Sequence, residues 1–184
     1  MNKALKILLS VDFLVIFSGA MIGPFYAVFV IDRVGGDLLD AGISWSIFAV
    51  VSGIITLLIG KMTNSVREQE LIIAAGYLIS GLSFLGYLLI DSIWELFLIQ
   101  IFLGIGGAIS SPAYSAVYST HLTKGEFIFQ WGSWEGMNKI ALGVGALVGG
   151  LIVSFFGFTA LFILMGVLPI VSGMAILLLP RELL

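Results

Sequence analysis

Apolar residues run for about 20 positions or more at a time along nearly the whole of this chain, with only short polar breaks between runs. Such a run matches the hydrocarbon thickness of a bilayer, which about 20 helical residues cross at roughly 1.5 Å per residue. Inside hydrocarbon the backbone must satisfy its own hydrogen bonds, so each run is expected as an α-helix. The runs lie at about 5–31, 41–60, 68–90, 93–119, 126–156 and 158–179, and with their connections they use up all 184 residues. No room remains for a soluble catalytic domain. A mean hydropathy of +1.17 and a charged content of 10% exclude a water-soluble globular domain and a disordered region. Eight Lys and Arg against eleven Asp and Glu leave no basic excess for nucleic acid. Cysteine is absent, which removes disulfides, thiolate metal sites and cysteine nucleophiles together.

Three helix starts carry a hydroxyl residue followed three positions later by Glu, the pattern of a capping box: Ser65 with Glu68, Ser92 with Glu95, and Thr123 with Glu126. Lys3 and Lys6 precede the first run as they would in a signal peptide, but the run is too long and has no small-residue cleavage pattern before Asp32, so it reads as a retained helix. Lys3, Lys6, Lys61, Arg67, Lys124 and Arg181 fall on one face of the membrane and only Arg33 on the other. The bias of basic residues toward the cytoplasm then puts both termini inside, in what is expected to be the plasma (inner) membrane. Trp45 and Trp94 fall at the outer interface and Trp131 near the inner one.

The chain repeats itself. Gly19, Ala20, Pro24 and Tyr26 recur as Gly107, Ala108, Pro112 and Tyr114, at a constant offset of 88. Ser44-Trp45 and Gly60 recur as Ser133-Trp134 and Gly149, at an offset of 89. Small residues and proline are common in membrane helices, so chance is the competing reading of the first match; the second match, at nearly the same offset, weighs against it. The expected fold is therefore all-α, an integral membrane bundle of six transmembrane helices built as a 3+3 inverted repeat, with residues 1–90 and 91–184 as its units. An odd number of spans per unit turns the second copy upside down, the arrangement of secondary transporters that bind substrate near the midplane. Pro24 and Pro112 each lack a backbone donor and are the expected helix interruptions and gating points.

Polar residues at bilayer depth cost free energy and call for a reason. Asp12 lies about two turns into the first run, and Gln100, at the same offset of 88, about two turns into the fourth. Interfacial water within reach of Asp12 is the bland alternative. Glu135 and Lys139 are spaced i, i+4 in the orientation that favours an ion pair, and Asn138 adjoins Lys139. A self-neutralised pair is one reading; a pair facing a wet cavity is the other. Asp12, Gln100, Glu135, Asn138 and Lys139 are the candidates for binding substrate or protons. Ala141, Gly145 and Gly149 form a small-residue stripe for close helix packing, and Gly104 lies in a second glycine-rich stretch. His121 is the only histidine and falls in a loop, so no metal cluster or catalytic triad is expected.

These residues resemble the N-terminal six-helix half of the major facilitator superfamily. The family's loop signature G-x-x-x-D-R-x-G-R is similar to Gly60 through Arg67, with Asn64 in the acidic position. Its fourth-helix signature resembles Gln100 through Ala108, with Gln100 where an arginine often stands. Its fifth-helix signature G-x-x-x-G-P-x-x-G-G resembles Ala141 through Gly150, keeping Gly145, Gly149 and Gly150 and carrying Ala146 in place of proline. The resemblance implies a secondary active transporter of a small molecule, driven by a proton or other ion gradient and needing no cofactor. It implies that the first, second, fourth and fifth helices line a central cavity while the third and sixth face lipid. It also implies a partner besides membrane lipid: a second copy of the chain or a separate C-terminal six-helix half. A non-transporting membrane scaffold that retains the fold is the alternative.

Overall fold

The computed structural model describes residues 3–62 and 68–179, with the backbone alone for Lys61 and Met62. Secondary structure among the described residues is entirely helical: α1 (Lys3–Ala20), α2 (Tyr26–Phe29), α3 (Leu38–Met62), α4 (Gln69–Gly86), α5 (Ile93–Thr120) and α6 (Phe127–Leu178). Five segments are long and apolar enough to cross a bilayer, Lys3–Val34, Leu38–Gly60, Gln69–Gly86, Ile93–Thr120 and Phe127–Leu178. That is one fewer than the sequence separates, because the last two runs join as α6. No polar loop divides them, and α6 leaves helical geometry only at Gly157, with φ 78° and ψ 177°. Glycine takes that backbone conformation without a Cβ clash. The 52 residues of α6 correspond to about 78 Å of straight helix, over twice a hydrocarbon core, so the bend separates two arms, 127–156 and 158–178.

The first apolar run is broken where Gly23-Pro24 fall. The chain passes through a 3-10 turn at Gly23–Phe25, resumes as α2 and ends in a π-helical turn at Val30–Val34, closed by Gly35 in the left-handed region at φ 77°. Pro112, by contrast, lies inside α5, which runs unbroken for 28 residues. One missing donor inside a long, well-packed membrane helix does not open it.

The helix starts are partly as expected. Ser92 and Glu95 form the capping box, the Glu95 N–H donating to Ser92 Oγ at 3.4 Å and the Ser92 N–H to Glu95 Oε2 at 3.0 Å. At Thr123 the side chain of Gln130 takes the part expected of Glu126: its Oε1 accepts the Thr123 N–H at 2.8 Å, while its Nε2 donates to Glu126 Oε2 at 2.9 Å. An unforeseen carboxylate box starts α3, where Asp37 Oδ1 accepts from the N–H groups of Leu39 and Asp40 and Asp40 Oδ2 accepts from that of Asp37. Ser65, Asn64 and Arg67 lie outside the described residues.

Helix α4 packs on α5 and α6, α1 packs on α6, and α3 packs on α5. Glycine sets the closest approaches. A Cβ on Gly81 of α4 would sit 2.7 Å from the Gly166 carbonyl oxygen of α6, and one on Gly166 would sit 2.9 Å from that of Gly81. Gly145 and Gly149 bring α6 against α1, their missing Cβ positions facing the Phe17 and Met21 carbonyl oxygens, and Gly150 leaves room for the Phe25 ring. Gly104 brings α5 against the Phe48 carbonyl of α3, whereas Gly60 faces open space. The glycine stripe is therefore spent within the bundle. The buried core divides in two, one cluster around Tyr26, Phe29, Tyr87 and Phe162, the other around Leu5, Leu8, Tyr77 and Tyr118.

Candidate functional site

Asp12 is buried, 7% exposed, rather than reaching water. Its Oδ1 accepts a hydrogen bond from the Tyr77 hydroxyl at 2.8 Å and its Oδ2 one from the Trp134 indole N–H at 2.7 Å. One carboxylate thus ties α1 to α4 and α6. The Tyr114 ring stacks on Trp134 with centroids 6.2 Å apart, and its hydroxyl is buried without a hydrogen-bond partner. Asn138, one helical turn beyond Trp134, likewise has its Oδ1 buried and unpartnered. Buried polar atoms without partners are uncommon and mark room for a water, an ion or a moving proton.

Gln100 sits in a second cluster, 3% exposed. Its Nε2 donates to the hydroxyls of Tyr26 and Tyr87, the latter at 3.1 Å. Tyr26 in turn bonds Ser44 Oγ at 2.6 Å, and its ring meets Trp45 edge-on at 6.1 Å. This cluster ties α5 to α2, α3 and the residue that follows α4.

The two clusters correspond through the sequence repeat. Asp12 matches Gln100 and Tyr26 matches Tyr114 at offset 88, while Trp45 matches Trp134 at offset 89. Asp12 lies on α1, Tyr26 on α2 and Trp45 on α3, while Gln100 and Tyr114 share α5 and Trp134 lies on α6. Tyr77 and Tyr87, both near the α4 core, complete one cluster each without a repeat counterpart in this scheme, and no local signal in the sequence singled them out. Tyr26, Tyr114 and Trp134 recur at offsets 88 and 89 in the sequence, and packing gives them their partners.

Glu135 and Lys139 join neither cluster. Their charged atoms are 3.9 Å apart, with the Lys139 and Glu135 side chains 73% and 60% exposed. They lie on the face of α6 that the bundle leaves uncovered. Beside Gln100 opens a cavity of about 540 Å³, lined by Pro24, Tyr26, Trp45, Phe48 and Phe84 among others, and its volume and apolar character suit a small molecule. Among the described residues no three His, Asp or Glu side chains gather as a metal site.

A family model described as Major Facilitator Superfamily matches residues 8–183. The chain is 21% identical over 160 residues to an uncharacterized MFS-type transporter of Bacillus subtilis (strain 168), an alignment covering 86% of this chain and 95% of that protein. It is 23% identical over 155 residues to an uncharacterized MFS-type transporter of Methanocaldococcus jannaschii, covering 83% of this chain but 39% of the relative.

Proposed function

This chain belongs to the Major Facilitator Superfamily, a family of membrane transporters and not of enzymes, and from that premise we propose that it moves a small molecule across the membrane by alternating access. The observation that carries the reading is the pair of repeat-related clusters, Asp12 with Tyr77 and Trp134 toward one end of the bundle and Gln100 with Tyr26 and Tyr87 toward the other. Each is a set of hydrogen bonds that fastens several helices, and a transporter needs one end closed while the other is open. Asp12, as a carboxylate held in the bundle between Tyr77 and Trp134, is the coupling group, so transport is proton-driven.

The proposal includes a 3+3 inverted repeat with six membrane passes, residues 1–90 against 91–184, the last two passes being the arms on either side of Gly157. Packing supports it. A two-fold axis that exchanges the units turns the contact of α3 with α5 into that of the 127–156 arm with α1, and it maps the contact of α4 with the 158–178 arm onto itself. With Lys3, Lys6 and Lys124 on the Asp12 side, both termini face the cytoplasm across the plasma membrane.

The chain covers nearly all of the bacterial relative and about two-fifths of the archaeal one. The working unit in this proposal pairs the bundle with a second six-helix body, either another copy or a separate second half. Glu135 and Lys139 support this, because a charged pair on an uncovered helix face at membrane depth calls for protein or water beside it rather than lipid. Uptake into proteoliposomes under an imposed pH gradient tests the function. Gradient-dependent accumulation of a substrate, lost in Asp12→Asn, is the expected result; accumulation that ignores both the gradient and the substitution contradicts the coupling.

A further inference from the structure

The hydrogen bonds around Gln100 run in one direction. The Ser44 hydroxyl donates to the Ala41 carbonyl at 2.9 Å, so its oxygen is the acceptor for the Tyr26 hydroxyl at 2.6 Å. With its hydrogen committed there, Tyr26 meets Gln100 as an acceptor. The Gln100 amide then gives one N–H to Tyr26 and the other to Tyr87, and an amide nitrogen has no third hydrogen to give. Among the described residues, two polar functions of this chain of bonds are left without a protein partner: the Gln100 Oε1 acceptor and the Tyr87 hydroxyl hydrogen. Both residues line the cavity of about 540 Å³, whose remaining lining is apolar or aromatic and includes no charged side chain.

We propose that this cavity binds an uncharged, largely apolar molecule through one group that both donates and accepts a hydrogen bond, a hydroxyl or a primary amide, held between Gln100 Oε1 and the Tyr87 hydroxyl. The inference names the substrate class for the transporter reading above and rests on it. The ligand group donates to Oε1 and accepts from Tyr87. An ionised group finds no countercharge in this lining and is excluded by the cost of desolvating it. A carboxylate has in addition no hydrogen for Oε1, and an ammonium has no lone pair for Tyr87. The aromatic rings hold the rest of the molecule: Trp45 and Phe48 of α3, their centroids 5.6 Å apart, line the cavity together with Phe84 of α4.

Equilibrium binding to the full chain in nanodiscs, with empty nanodiscs subtracted, tests this with four probes of one shape: 2-naphthamide, 2-naphthol, 2-naphthoate and 2-naphthylmethylammonium. The two neutral probes are expected to bind at least about tenfold more tightly than the two ions, and Gln100→Leu or Tyr87→Phe to weaken them about tenfold, the usual effect of leaving one polar partner unmatched. Tyr87→Phe retains the ring that packs against Phe29 and Phe162, so it separates a lost hydrogen bond from a lost fold. Ions binding as tightly as the neutral probes, variants binding unchanged, or no probe binding overturns the inference. A neutral probe that binds with the expected preference but is not carried into proteoliposomes supports the site and counts against the transporter reading alone.

Discussion

The Trp134 indole N–H reaches the Asp12 carboxylate at 2.7 Å across 122 residues of sequence, joining α6 to α1. Trp45, which matches Trp134 at offset 89, stands against Tyr26 beside Gln100. One cluster is built on a carboxylate, Asp12, and the other on an amide, Gln100, each with tyrosine hydroxyls around it.

Trp134→Phe and Tyr77→Phe each remove one of the two donors to Asp12 while keeping an aromatic ring in place. Each substitution is expected to cost about 1–3 kcal/mol, since the carboxylate loses a charge-assisted bond in a buried site. Thermal unfolding in detergent measures it. The double variant is expected to depart from additivity, because both donors serve one acceptor group.

Tyr26→Phe is the matching test at the other end. It removes the hydroxyl that links Gln100 to Ser44, with an expected loss of about 1–2 kcal/mol and no charge left exposed. A loss well above about 2 kcal/mol would contradict the distinction between a cluster built on a carboxylate and one without a charged group.

Gly149→Ala and Gly143→Ala differ only in what the new methyl meets. At Gly149 it runs into the Met21 backbone carbonyl, which cannot swing aside as a side chain can; at Gly143 it meets nothing within 4 Å. Gly149→Ala is expected to destabilise by about 1–3 kcal/mol or more through overpacking, and Gly143→Ala to be neutral or slightly stabilising. Melting temperature and monodispersity after size-exclusion chromatography distinguish the outcomes.

Much of this architecture is written in local features. Long apolar runs give the helices because hydrocarbon forces the backbone to bond to itself, and the Gly23-Pro24 pair stops α1 because Pro24 brings no N–H. Recurrence at offsets 88 and 89 marks Asp12, Gln100, Tyr26 and Trp134 in the sequence alone. What stayed hidden depends on azimuth and on distant partners. Hydropathy reports depth in the membrane but not which face of a helix turns inward, so it could not tell that Asp12 is buried between Tyr77 and Trp134 while Glu135, one residue from Trp134, points away. The union of the last two runs was hidden as well, because a single glycine at positive φ bends α6 without a polar loop to announce it.

Paired replacement Glu135→Leu with Lys139→Met separates a lumen role from a mere membrane scaffold. The pair is exposed, so its removal is expected to change stability in detergent by less than about 1 kcal/mol. Transport in proteoliposomes is expected to fall sharply. Undiminished transport would remove these residues from the pathway.

Alternation between the two ends is the central claim, and the absence of cysteine lets single reporters be placed in an otherwise unreactive chain. Gly132 and Gly42 both have open space at the Cβ position, Gly132 two residues before Trp134 of the Asp12 cluster and Gly42 two residues before Ser44 of the Gln100 cluster. Gly132→Cys and Gly42→Cys, each labelled by a membrane-impermeant maleimide with and without Asp12→Asn, give the most direct measurement. The account predicts that Asp12→Asn shifts the two labelling rates in opposite directions, one end closing as the other opens. Rates that rise or fall together, or that do not change, would contradict it.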